Sequence, residues 1–111
     1  MGPQKRALSP GRCVYGAFLN AQGEVVDDTI IYEIEKNNYL AVVNAGMAGL
    51  VTQHLTAYKS NREVEITYLT DAIGKIDIQG PMSGKIIKNV LLEPEVVFEK
   101  MPYFSFKGHY Q

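Results

Sequence analysis

The chain has few of the residues from which disulfides, metal sites and membrane spans are built. Among 111 residues there is one cysteine, Cys13, so no internal disulfide can form and a thiolate metal site would need other ligands. The two histidines, His54 and His109, lie far apart and near no cysteine or carboxylate cluster, so no metal is expected. Neither sign of charge is in excess. Lys and Arg number 11 against 12 Asp and Glu, giving a formal net charge of −1, and the isoelectric point is about 6.1. That balance offers no footprint for nucleic acid or an anionic membrane. No apolar run approaches the length of a membrane span, and the first ten residues lack the apolar segment of a secretion signal. A soluble cytoplasmic protein is the expectation.

What is present suits one small domain. Hydrophobic residues make up 46% and charged residues 21% of the chain, enough for a modest core and too apolar for a disordered tract. Residues 1–11 (MGPQKRALSPG) carry two prolines, two glycines and two basic residues, and are expected to form a flexible leader. Residues 12–111 are expected to form the domain.

The rest is organised around a hairpin over residues 14–34. Val14 to Leu19 and Val25 to Tyr32 are rich in β-branched and aromatic residues, and Asn20-Ala21-Gln22-Gly23 between them has turn chemistry. Inside the returning strand sits an acidic pair, Asp27-Asp28. Strand side chains alternate, so the two must face opposite sides of the sheet, one of them toward the more crowded side. A carboxylate there is costly unless bonded or functional.

Strands are expected over 12–19, 25–35 and 39–44, the third almost wholly apolar and so expected at the centre of the sheet. Met47, Leu50, Val51, His54, Leu55 and Tyr58 then follow helical spacing, with Asn44 available to cap the start. Residues 63–69 and 73–79 alternate like two further strands, and Ser83 opens a short helix carrying Ile86, Ile87, Val90 and Leu91. Val97-Phe98 and the aromatic tail Tyr103-Phe104-Ser105-Phe106 are expected to add a strand or cover an apolar face. The order β-β-β-α-β-β-α-(β) predicts an α+β domain with a mainly antiparallel sheet and two helices.

Read from the residues alone, several roles stay open. Asp27 is equally an exposed edge residue, and Asp28 a structural carboxylate bonded to neighbouring amides. By the residues alone Tyr15 reads as packing rather than pocket, His54 as a core or boundary histidine rather than a catalyst, and Cys13 as an inert strand residue.

Three stretches taken together carry a resemblance: residues 15–32, then Tyr39-Leu40-Ala41-Val42-Val43-Asn44-Ala45, then Ile78-Gln79-Gly80-Pro81. In this order and spacing they resemble the folate-binding aminomethyltransferase family, the T-protein of the glycine cleavage system and its relatives. The similarity runs from about Leu8 to Pro81 and continues to the aromatic tail, covering the central part of the family's first domain. By that resemblance Asp28 is the catalytic carboxylate at the folate, while Tyr15 and the strand end at Val43 and Asn44 help form the cofactor pocket. The implied cofactor is tetrahydrofolate, which receives a one-carbon unit from an aminomethyl group on a lipoyl carrier protein. The family's longer N-terminal part and its later Tyr-Thr-Gly-Glu stretch have no counterpart here. Gly46-Met47-Ala48-Gly49 also replaces the charged start usual for the helix. The chain is therefore expected to be a fragment or truncated relative, inactive alone, with self-association into a homo-oligomer through uncovered strands. The alternative is a non-catalytic folate-family binding or assembly module.

Overall fold

The computed structural model describes residues 7–108. Residues 1–6 of the expected leader, and His109, lie outside the described residues. Chain reversal begins at Asn20, whose Oδ1 accepts from the backbone amides of Gln22 at 3.0 Å and Glu24 at 2.9 Å. This is the side-chain turn that makes asparagine a hairpin residue. Gly23 completes it at φ 81°, a conformation that costs glycine little.

The turn sets the register of β1 (Cys13–Leu19) against β2 (Val25–Glu35), antiparallel from Cys13 opposite Tyr32 to Phe18 opposite Asp27. A second reversal, with Asn37 at φ 67°, leads into β3 (Asn38–Val43), which pairs with β2 from Glu33 opposite Tyr39 to Thr29 opposite Val43. The sheet order is β1-β2-β3. β2 therefore lies at the centre, and β3, expected there from its apolar run, lies at the edge. A meander places its middle strand between the other two whatever their hydrophobicity.

Opposed residues share a face. One face carries Cys13, Tyr15 and Ala17 from β1, Asp28, Ile30 and Tyr32 from β2, and Leu40 and Val42 from β3. The other carries Val14, Phe18, Asp27, Thr29, Ile31, Glu33, Ala41 and Val43.

The α+β class and the antiparallel sheet are as expected. Helix α1 (Ala48–Lys59) is preceded by Gly46 at φ 80° and ends at Ser60, φ 53°. Its expected stripe is only partly covered: Val51 is buried, whereas Leu50 and Tyr58 are exposed. Helix α2 (Ser83–Val90) begins at the expected residue. A third helix beyond the two expected, α3 (Pro94–Phe98), opens on its proline and takes up Val97 and Phe98, which were expected in a strand or as cover.

The fourth and fifth strands expected over 63–69 and 73–79 do not form. Those residues join no ladder and are almost all exposed, Ile76 at 87%. Alternation describes a surface that fits a sheet, but a strand takes its hydrogen bonds from a neighbour, and among the described residues none pairs with them.

The aromatic tail makes a single bridge, Ser105 opposite Arg12. The Cys13 amide donates to the Phe104 carbonyl at 3.1 Å, and the Phe106 amide to the Gly11 carbonyl at 3.0 Å. Continued antiparallel pairing would set Pro102 opposite Tyr15, where proline has no N–H to give. The clip ends there. Phe106 meets Tyr32 edge to face at 5.1 Å, and the Gly11 amide donates to the Glu33 carbonyl at 3.0 Å.

Candidate functional site

The hairpin and the end of β3 bring Tyr15, Asp28 and Asn44 together. Tyr15 stands two residues along β1 from Ala17, the ladder partner of Asp28. A tyrosine is long enough to lean along its strand to a diagonal neighbour. Its hydroxyl donates to Asp28 Oδ2. Asn44 follows the last residue of β3, just past the Thr29–Val43 pair that ends the ladder, and its side-chain amide donates to Asp28 Oδ1. Asp28 thus receives one donor on each oxygen, one from β1 and one from the residue that follows β3.

These bonds favour the ionised carboxylate. The Tyr15 hydroxyl first, and then the Asn44 amide, hold Asp28 below the usual carboxylate range. The same bond acts in reverse on the phenol, where hydrogen bonding to Asp28 raises the Tyr15 pKa above the ordinary tyrosine value. Tyr15 itself is 62% exposed. The result is a fixed anion beside an accessible aromatic ring, on the face that also carries Ile30 and Val42. Such a carboxylate can accept or relay a proton and offset developing positive charge on a bound base.

The expected site residues do not all share that face. Val43 pairs with Thr29 and lies on the opposite side with Asp27. Asp27, which alternation set away from Asp28, is the buried member of the pair at 8% exposed. Its Oδ2 accepts from the Asn44 backbone amide at 3.0 Å and its Oδ1 from the Asn44 side chain at 2.7 Å. Asn44 was expected to cap α1, but its side chain is engaged by the carboxylates, and Met47 occupies the cap position without a side-chain bond. The Asp27–Asn44 contact is what sequence reasoning missed. Its only trace in the chain is an acidic pair followed 16 residues later by an asparagine at a strand end.

Other candidates lack this convergence. Among the described residues no group of three or more His, Cys, Asp or Glu could hold a metal ion. His54 packs on Tyr58, ring centres 4.6 Å apart. Burial pushes the Cys13 thiol up, which makes it a poor nucleophile. The open groove between α2 and α3, lined by Lys88, Asn89, Pro94 and Phe98 among others, contains none of the expected site residues. Among the described residues no helix is long and apolar enough to cross a membrane.

Comparison with known proteins gives this arrangement a family. The family model described as the GCVT N-terminal domain matches residues 3–110. The aminomethyltransferases of Staphylococcus epidermidis strains RP62A and ATCC 12228 are each 33% identical to this chain over 104 residues, covering 94% of it and 28% of their own length. No solved structure matches it. The chain belongs to the GCVT N-terminal domain family. It spans about 28% of the length of these curated relatives.

Proposed function

We propose that the chain carries the carboxylate side of a tetrahydrofolate-dependent aminomethyltransferase site. The observation that supports this best is the hydrogen-bonded set Tyr15–Asp28–Asn44 on an open face of the sheet. Asp28 is the catalytic group, an anion able to take up or pass on a proton at a folate nitrogen and to balance positive charge there. Tyr15 offers an exposed ring and holds Asp28 in place. Val43 acts through the backbone, as the strand end that carries Asn44 to the carboxylates. Bound tetrahydrofolate supplies the acceptor for a one-carbon unit. The unit's donor is an aminomethyl group on a lipoyl carrier protein, and a cytoplasmic setting fits that chemistry.

Because the chain spans 28% of the length of its relatives, these residues supply only some of the polar groups a pterin ring needs. A site with unmatched donors and acceptors loses affinity steeply. The 111-residue chain therefore binds tetrahydrofolate weakly and forms no methylene-tetrahydrofolate by itself. A residue-resolved titration with millimolar tetrahydrofolate tests this: resonances of Tyr15, Asp28 and Asn44 should move together without saturating at micromolar ligand. Shifts confined to other surfaces would contradict it.

A second reading is favoured by a separate observation. Large apolar side chains are left in solvent, with Leu92 fully exposed, Ile76 at 87% and Tyr103 at 72%. Surfaces of that kind favour association, and in this reading the chain is a non-catalytic assembly module that pairs with a second copy of itself.

A further inference from the structure

We propose that Asp27 is a positioning residue for the site: by gripping Asn44 from the opposite face of the sheet, it aims the Asn44 amide at Asp28. The role rests on the reading of Asp28 given above. The geometry is specific. Both oxygens of Asp27 are engaged by the same residue, Oδ1 by the Asn44 side-chain nitrogen at 2.7 Å and Oδ2 by the Asn44 backbone nitrogen at 3.0 Å. Two bonds on one carboxylate fix both the chain path at residue 44 and the rotamer of its side chain, as a single bond could not. The Asn44 nitrogen so placed also donates to Asp28 Oδ1, with a longer approach of 3.4 Å to the Asp28 carbonyl oxygen.

The burial pattern agrees. Asp27 is 8% exposed and Thr29, the next residue on its face, 3% exposed. Thr29 anchors the same strand end, its hydroxyl donating to the Val42 carbonyl at 2.8 Å. A buried carboxylate without matched donors would be costly, and Asn44 provides the match. Adjacent residues on a strand point apart, so Asp27 cannot touch a ligand lying on the Tyr15–Asp28 face. Its influence must pass through Asn44. The acidic pair thus divides the work, one carboxylate presented and the other holding the group that orients it.

This role and a bystander role differ in sign. A bystander Asp27 is only a nearby negative charge, and removing it makes Asp28 easier to ionise. A positioning Asp27 keeps a donor on Asp28, and removing it makes Asp28 harder to ionise. The experiment follows the Asp28 carboxyl carbon by NMR through an acid titration of the full 111-residue chain, for the unaltered protein, Asp27→Asn, Asn44→Ala and the double variant. The expected result is an upward move of the Asp28 midpoint in Asp27→Asn and in Asn44→Ala, toward the ordinary aspartate value. Adding Asp27→Asn to Asn44→Ala should give no further rise, since the relay is already cut. An unchanged or lowered midpoint in a folded Asp27→Asn overturns the proposal. Should that variant not fold, the unaltered chain decides. Scalar couplings across the hydrogen bonds should connect both Asn44 nitrogens to the Asp27 carboxyl carbon, and their absence overturns it equally. No folate enters either measurement, so a failure here is separate from a failure of the folate reading.

Discussion

Tyr15 on β1 and Asp28 on β2 are joined by a hydrogen bond although neither is the other's ladder partner. Asp28 sits opposite Ala17, a small residue, and Tyr15 sits opposite Ile30. The Tyr15 hydroxyl reaches the carboxylate along this diagonal. A small residue thus lies on the same face between the two bonded side chains. Ala17→Leu should put a larger side chain there and displace the ring, leaving the Asp28 midpoint shifted upward in a chain that keeps its hairpin.

The bond predicts the acid titration of Asp28. Its folded-state pKa is lowered, chiefly by Tyr15 and then by Asn44. A lowered carboxylate pKa gives stability that is present above the unfolded value, about 3.9, and is lost as pH falls through the folded value. Tyr15→Phe should raise the Asp28 midpoint and make the folded state less sensitive to acid below about pH 4. Carboxyl-carbon NMR reads the first effect and urea unfolding between pH 2 and pH 6 reads the second.

The same bond predicts an alkaline effect of opposite sense. Tyr15 has a raised pKa, first through its bond to Asp28. The associated stability is present below the unfolded tyrosine value, about 10, and is lost as pH rises through the folded one. Asp28→Asn should lower the Tyr15 midpoint. Because burial raises Tyr32 and the Glu33 charge raises Tyr39, phenolate absorbance should be compared between the variant and the unaltered chain. A difference curve with no early-ionising tyrosine in the variant would show that the bond does not hold in solution.

Loss of Asn44 should cost stability as well as orientation. Asn44→Ala leaves the buried Asp27 carboxylate with the backbone amide but without the side-chain donor at 2.7 Å. Removing a partner from a buried acceptor costs about 1–3 kcal/mol, and more where the acceptor is charged. Urea unfolding at neutral pH should show a loss in or above that range, and Asn20→Ala, which breaks only the exposed turn bonds, should cost less.

Much of this was legible in the sequence where local chemistry sufficed. β2 occupies the expected residues, 25–35, because the Asn20–Gly23 turn fixes one end and Lys36-Asn37 reverses the other. Ser83 starts α2 as expected. Residues 63–69 and 73–79 show why alternation alone misleads, for without a neighbouring edge they remain irregular. β3 shows that an apolar run reports surroundings rather than position in the sheet. The resemblance named Tyr15, Asp28, Val43 and Asn44 together; the chain brings the side chains of Tyr15, Asp28 and Asn44 into contact while Val43 faces away, and the grip of Asp27 on Asn44 was hidden. Strand alternation says that Asp27 and Asp28 point apart; only the path of the chain past Val43 shows that one asparagine reaches both.

Exposure of the segment after α1 has its own consequence. Residues 63–81 carry no ladder bonds and should exchange their amide hydrogens far faster than Thr29 to Glu33 on the central strand. Light scattering over a wide concentration range tests the pairing reading in the same sample. A dimer mass at high concentration, with slowed exchange confined to Ile76, Leu92 and their neighbours, is the outcome it expects, and a monomer mass throughout would remove it.

The central claim is that the Tyr15–Asp28–Asn44 face meets the folate, and chemical-shift mapping with tetrahydrofolate tests it most directly. The prediction is a weak, graded movement of the Tyr15, Asp28 and Asn44 resonances up to millimolar ligand, abolished in Asp28→Asn and Tyr15→Phe. Movement confined to the Lys88–Phe98 groove, or undiminished in both variants, would contradict the claim.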